Sequence, residues 1–270
     1  MARVSWFNTK KVFLVSIIFT IHGFFSTSIF FLSILSEYHD GIFKQISDEY
    51  LKKDLNEKEL ALALMNETHN LLKPRLKLFK NKPKIGFRDK FLRSSDINLI
   101  DNRIDCGGYA LVLGNLLDKA KYKFRFGQMS CSSNNLYGCH IIVEAKINGK
   151  YSILDPTFNL YFINQDQSLA SVREVLKNWD NYKNQVPDDY NMEYDYHGMR
   201  YTNWDKIPIV SKVVKKIMYY FMGDQIEVFS ARKYLINRYN FLLIILVSIY
   251  SLYIIFTILF IKKIFRKIEN

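Results

Sequence analysis

The sequence predicts an α+β domain between two helices that cross a membrane. Two runs without ionised residues, Val12 to Leu35 and Phe241 to Ile261, each reach the roughly 20 apolar residues that span a bilayer as a helix. Between them, a helix-patterned segment starting at Cys106 precedes two alternating apolar runs joined by Asn148-Gly149. This order predicts a helix packed on an antiparallel sheet.

Composition and charge narrow the function classes. The net charge is +12 and 49% of the residues are hydrophobic, which fits a globular domain with added membrane segments. We find no internal repeat, phosphate loop or nucleic-acid motif, so membrane lipid rather than nucleic acid is the expected partner of the basic charge. The basic segment from Lys73 to Lys90 is interpreted first as a solvated loop, and second as a contact for anionic lipid or an acidic polymer.

Flanking charges predict the topology. Arg3, Lys10 and Lys11 precede the first apolar run, and a basic cluster follows the second. Both ends are therefore expected in the cytoplasm, although Arg232 and Lys233 on the outer side oppose this orientation. The predicted order is a cytoplasmic start (1–11), a membrane helix (12–35), an extracytoplasmic domain (36–240, core 101–161), a membrane helix (241–261) and a cytoplasmic tail (262–270). A periplasm or equivalent space would hold the domain.

A cleaved signal peptide is the alternative for the first apolar run. The run is longer than the about 7–15 residues of a signal-peptide core, and no Ala-x-Ala-like site follows it. A retained membrane helix is therefore favoured.

The Asn148-Gly149 pair sets a hairpin register that places two chemically active side chains together. Asn-Gly favours a two-residue type I′ turn, so Ile147 pairs with Lys150. Counting outward, Asp155 becomes the diagonal neighbour of His140 on the same face of the sheet. A hydrogen bond between the Asp155 carboxylate and the His140 imidazole is expected.

Cys106 is the candidate nucleophile. Asp105 can cap the apolar helix that follows, which places Cys106 in its first turn, where the helix dipole favours a thiolate. The free N–H groups there could hold an oxyanion, and Gln128 and Asn102 are candidate side-chain donors. Cysteine, histidine and aspartate supply a nucleophile, its base and the group that orients the base. Taken singly, each residue is more often an ordinary core residue.

The other two cysteines flank a short Asn- and Gly-containing loop. In an oxidising compartment Cys131 and Cys139 could form a disulfide, which leaves Cys106 as the free thiol. The alternative is a zinc site from Cys106, Cys131, Cys139 and His140, but the spacing matches no compact zinc pattern.

The remaining elements follow from local signals. Asn56 and Glu59 form a capping-box pattern. The other predictions are a strand from Tyr122 to Gln128, a helix opened by Ser168, an irregular stretch from Asp180 to Tyr201, and a helix from Val210 to Met222. The last is either an interfacial amphipathic helix or an ordinary domain helix.

The ordered pattern of Cys106 at a helix start, His140 opening a strand and Asp155-Pro156 closing the next strand resembles the transglutaminase-like cysteine enzyme superfamily, which has a papain-like core. The resemblance covers about Asp101 to Tyr161. It implies a Cys-His-Asp catalytic triad, amide hydrolysis or acyl transfer through a thioester, no cofactor, a peptide or protein amide substrate, and envelope proteins as further partners. The alternative is a catalytically inactive scaffold or binding module with the same fold.

Overall fold

The computed structural model describes residues 2–75, 94–100, 105–131, 137–204 and 211–269. Within them the α-helices are α1 (Ala2–Leu51), α2 (Glu57–Leu72), α3 (Ser95–Asn98), α4 (Cys106–Lys119), α5 (Val172–Lys177), α6 (Trp179–Tyr182), α7 (Ser211–Met222) and α8 (Arg238–Glu269). The strands are β1 (Phe124–Cys131), β2 (Tyr137–Ile147), β3 (Lys150–Leu154) and β4 (Tyr194–Arg200). Short 3₁₀ helices cover Lys183–Gln185, Gly223–Val228 and Ala231–Leu235. The class is therefore α+β, as predicted.

The chain divides into two compact units, of which the first comprises Met1–His39 and Arg238–Asn270. In it α1 and α8 run antiparallel: Phe25 stacks on Tyr250 with ring centroids 5.1 Å apart, and the Tyr253 hydroxyl donates to the Ile18 carbonyl at 3.2 Å. The Tyr250 hydroxyl also hydrogen-bonds to His22. Both helices are long and apolar enough to cross a membrane.

The second unit is Asp40–Asn237. Helix α1 does not end with its apolar run but continues to Leu51, and its buried Phe43 belongs to the core of this unit. Asn56 and Glu59 form the predicted capping box at the start of α2, since the Asn56 side chain accepts from the Glu59 N–H and the Glu59 carboxylate accepts from the Asn56 N–H.

One antiparallel sheet organises the second unit, with the strand order β3-β2-β1-β4. Asn148 and Gly149 both adopt positive φ, 51° and 83°, as a type I′ turn requires. Ile147 pairs with Lys150, and the ladder continues to Val143 opposite Leu154. The predicted register is confirmed.

Both faces of the sheet are buried. Helix α4 packs on one face, where Leu113 contributes to a cluster with Phe126 and Val143. A second cluster covers the other face and contains Ile142 and Phe162. The helix carrying Cys106 is therefore held against the sheet by apolar burial, the dominant favourable term in folding.

Three predicted elements differ from the structure in extent. The strand predicted from Tyr122 begins at Phe124 and ends at Cys131. The helix predicted to open at Ser168 begins at Val172, because Ser171 forms the capping box with Glu174. The stretch from Asp180 to Tyr201 is not irregular throughout, since it contains α6 and β4.

Other predictions fall partly outside the described residues. Most of the basic segment from Lys73 to Lys90 lies outside them, as does Val210, whereas the helix after Val210 is present as α7.

A disulfide joins Cys131 to Cys139 with their Cα atoms 5.7 Å apart, so the predicted pairing is confirmed.

Candidate active site

Cys106 is the first residue of α4. Asp105 is the N-cap, and its carboxylate accepts from the Gly108 N–H at 2.8 Å, so the predicted cap is confirmed. The chain has three cysteines, and with Cys131 and Cys139 bridged, the partly exposed Cys106 is the free thiol.

The first turn of α4 leaves two backbone donors next to the thiol. The first N–H groups of a helix have no intrahelical acceptor. The Gly108 N–H is satisfied by Asp105. Among the described residues, the N–H groups of Cys106 and Gly107 have no acceptor, which leaves these two for a ligand oxygen.

The hairpin brings His140 and Asp155 into contact. The ring Nε2 of His140 lies 2.6 Å from Oδ2 of Asp155, and their side chains are 1% and 0% exposed. Both atoms are thus withdrawn from water and satisfied by each other. The pair lies where the register of β2 and β3 places it, just beyond the last paired residues.

Asp155 is fixed on its other side by the loop that follows β3. Its Oδ1 accepts from the Thr157 N–H at 3.0 Å. The backbones of Asp155 and Leu160 exchange two hydrogen bonds of 2.8 and 2.9 Å. Nδ1 of His69, on α2, lies 3.0 Å from the Pro156 carbonyl and must carry the proton, because a carbonyl oxygen only accepts. The carboxylate therefore has one fixed orientation toward the imidazole.

Two aromatic rings enclose the imidazole. Tyr194 stacks on His140 with centroids 4.4 Å apart and an interplanar angle of 7°, and Phe158 lies at 5.6 Å. Burial, together with the charges of Cys106 and Asp155, raises the pKa of Tyr194, which keeps its hydroxyl protonated. Sequence reasoning missed Tyr194 because its strand was predicted to be irregular. The signal available was the alternation of Tyr194, Tyr196 and Gly198 with polar residues.

Charge at the site favours the imidazolium. Burial opposes protonation of His140, but the charge and hydrogen bond of Asp155, with contributions from Cys106, raise its pKa to about 9. The Cys106 side chain is close enough to the ring to contribute to the raised pKa of His140. Since Asp155 occupies Nε2, the remaining nitrogen, Nδ1, is the one available to the thiol. His140 is therefore positively charged at neutral pH.

Of the two side chains predicted as possible oxyanion donors, Gln128 lies within the described residues and Asn102 does not. Gln128 is partly exposed on β1 and pairs with Ile141. Ile141 lies next to the start of α4, since a Cβ built on Gly107 would be 3.5 Å from its Cδ1. Gln128, as the pairing partner of Ile141, therefore belongs to the part of the sheet that faces the start of α4. Asn102 lies outside the described residues.

The zinc alternative does not fit this geometry. Cys131 and Cys139 are joined in a disulfide, so their sulfur atoms cannot act as thiolate ligands. No group of three or more His, Cys, Asp or Glu side chains able to hold a metal occurs in the part of the chain that the structure describes.

The structure thus brings together the three side chains singled out from the sequence: a partly exposed thiol at a helix N-terminus and a buried imidazole–carboxylate pair. These groups are of the types that supply a nucleophile, a proton donor and backbone donors in acyl-transfer chemistry. Comparisons of the chain with protein-family models, with curated proteins and with solved structures find no match.

Proposed function

We propose that this protein is a membrane-anchored, transglutaminase-like cysteine enzyme with a papain-like core, which hydrolyses an amide or transfers its acyl group through a thioester on Cys106. The observation that carries the proposal is the buried 2.6 Å contact between His140 and Asp155 beside the thiol at the start of α4. A structural histidine needs only a hydrogen-bond partner, whereas the pKa of this one is also raised by the neighbouring thiol of Cys106.

In the first half-reaction the Cys106 thiolate attacks the amide carbon. The carbonyl oxygen becomes an oxyanion, and the N–H groups of Cys106 and Gly107 donate to it. When the C–N bond breaks, the His140 imidazolium gives its proton to the departing amine. The product is an acyl group joined to Cys106 by a C–S bond, with His140 neutral.

In the second half-reaction neutral His140 takes a proton from water or from an acceptor amine. That nucleophile attacks the thioester carbon, the C–S bond breaks, and the thiolate and imidazolium are restored. Water gives hydrolysis and an amine gives transfer. Asp155 holds the ring in place and stabilises its charge in both halves.

The two long apolar helices α1 and α8 support a membrane setting. We place the domain on the extracytoplasmic side, because the flanking basic residues favour cytoplasmic ends and the Cys131–Cys139 disulfide suits an oxidising compartment. Helix α7 carries exposed aromatic side chains, Tyr220 at 84% and Phe221 at 78%, which favour contact with membrane lipid. The expected substrate is a peptide or protein amide, and envelope proteins are the expected further partners.

A trapping experiment tests the reaction. The full chain in detergent is incubated with a library of peptide amides, acid-quenched, and mapped by mass spectrometry. We expect an acyl adduct on Cys106 together with the released amine. If no member of the library gives an adduct or a product, while iodoacetamide still labels Cys106, the chain is a binding module rather than an enzyme.

Asp155→Asn is expected to lower turnover about 10–10³-fold and also to lower the melting temperature, because it removes the charged partner of a buried imidazolium. Asparagine keeps the shape and the bond to Thr157, but its amide can stabilise the wrong tautomer of His140. The loss is smaller than the about 10⁴-fold seen in serine triads, because a thiolate–imidazolium pair is already ionised.

The matched control for this substitution is Asp195→Asn. Asp195 also contacts a histidine, with 3.1 Å to His197 Nδ1, but that ring is 77% exposed. Turnover of Asp195→Asn should stay near wild type. A folded Asp155→Asn variant with wild-type turnover would reduce Asp155-Pro156 to a strand terminator.

A further inference from the structure

A second cationic side chain, Arg232, reaches the start of α4. It lies in the 3₁₀ helix Ala231–Leu235, and its Nη1 would be 3.2 Å from a Cβ built on Gly107, the residue after Cys106. Its charge interacts with those of Cys106 and Asp105. The guanidinium therefore lies beside the nucleophile, a position that no sequence pattern indicated.

The backbone around Arg232 is anchored to β1, so its position is defined. The Ser230 hydroxyl accepts from the Phe126 N–H at 3.1 Å, and the Thr202 hydroxyl accepts from the Ala231 N–H at 3.0 Å. On the next residue, the Lys233 ammonium lies over the Phe124 ring, 4.9 Å from its centroid. Neighbouring residues thus have partners on the strand, while the Arg232 side chain extends toward α4.

Arg232 has no counter-ion of its own among the described residues. It is partly buried, and its guanidinium forms no ion pair or hydrogen bond there. The carboxylate of Asp105, whose charge acts on Arg232, is engaged with the Gly108 N–H. Burial lowers the pKa of Arg232, while Cys106 and Asp105 oppose that change. A guanidinium stays charged in proteins, so a partly buried one without a partner suits an incoming anion.

Resting on the proposed function, we propose that Arg232 is a specificity-determining residue that binds a carboxylate of the acyl donor next to the scissile amide. The planar fork of a guanidinium fits two carboxylate oxygens. The single sulfur atom of Cys106 does not match the two-donor geometry of a guanidinium, and His140 already places a positive charge beside that sulfur. Acyl donors with an acidic group near the reacting carbonyl are therefore preferred over their neutral amides.

Two alkylating reagents of nearly equal size isolate this interaction without any turnover. Iodoacetate and iodoacetamide both form a C–S bond with Cys106 and release iodide, and they differ in carrying a carboxylate or an amide. The ratio of the iodoacetate rate to the iodoacetamide rate is measured at pH 7 on the full chain in detergent. His140 influences this ratio in every variant, so a change on substituting Arg232 belongs to Arg232.

We expect Arg232→Gln to lower this ratio about tenfold, mainly by slowing iodoacetate, as loss of a charge-assisted hydrogen bond predicts. Arg232→Lys should retain part of the ratio, because it keeps the charge but not the fork. Lys233→Gln, the matched control, removes the same charge one residue away and should leave the ratio unchanged.

An unchanged ratio in Arg232→Gln, or an equal fall in Lys233→Gln, overturns the Arg232 assignment and leaves the proposed function standing. Failure of wild-type Cys106 to react with either reagent overturns both. If Arg232→Gln does not fold, the wild-type chain provides the test. Succinate should compete for Arg232 and slow the alkylation of Cys106 by iodoacetamide, whereas succinamide should not. Equal effects of the two compounds overturn the assignment.

Discussion

Replacing Cys106 with alanine is expected to abolish turnover, a loss on the order of 10⁵–10⁶-fold. The proposed reaction passes through a C–S bond to this sulfur, and the other two cysteines are bridged to each other. Only the uncatalysed attack of water, aided by binding, would remain. The measurement is turnover of the best library substrate by the purified full chain.

Cys106→Ser is the companion variant for this prediction. A serine hydroxyl keeps the size of the side chain and its hydrogen bond to His140, but it is a weak nucleophile unless a base activates it. We expect almost as large a loss as for alanine, with melting temperatures of both variants close to wild type, because Cys106 is partly exposed. Substantial turnover by either folded variant would contradict the thioester mechanism.

The part of the site that could be predicted from sequence depends on local geometry. The Asn148-Gly149 turn fixes a register, and counting along two strands then places Asp155 beside His140. Asp105 caps α4 by accepting a hydrogen bond from Gly108, three residues further along the chain, and such a cap can be predicted from the local sequence. Such contacts need no knowledge of how distant segments pack.

The other side chains around the site were missed because they come from elements that are distant in sequence. Tyr194 reaches His140 only because β4 pairs with β1, and β4 is an edge strand with weak local signals, including Gly198 and charged Asp195. A Cβ at Gly198 would lie 2.6 Å from the Ser130 hydroxyl, so a glycine is needed where β4 approaches β1 closely, and this need is visible only in the folded sheet.

Arg232 illustrates the same limit more strongly. Its short 3₁₀ helix carries no amphipathic pattern, and its placement depends on side chains of Thr202 and Ser230 that bind backbone far away in sequence. From the sequence, the residue counted only as a basic charge that opposed the predicted topology. Its place beside Cys106 becomes visible only in three dimensions.

His140→Gln is expected to lower kcat/KM about 10²–10⁴-fold. The imidazolium has two proposed tasks, to balance the thiolate and to give the departing amine its proton, and glutamine can do neither. The matched control is His197→Gln, which changes a 77% exposed histidine and should leave turnover near wild type. A folded His140→Gln variant with near-wild-type turnover would remove His140 from the mechanism.

The pH profile tests the same residue in the wild-type chain. Because the pKa of His140 is raised to about 9, its proton is present at neutral pH and is lost as the pH rises through that value. Acylation needs this proton for the leaving amine, so turnover should fall above about pH 9. The alkaline fall should be absent from the residual activity of His140→Gln, and its persistence there would assign it to another group.

A double substitution separates the role of Asp155 from that of His140. Asp155 contacts no reacting atom in the proposed mechanism and acts through the imidazole that it holds. The variant carrying both His140→Gln and Asp155→Asn should therefore be no slower than His140→Gln alone, since residues that act as one unit are not additive. If the two losses multiply instead, Asp155 acts on the reaction independently of His140, and the proposed division of roles is wrong.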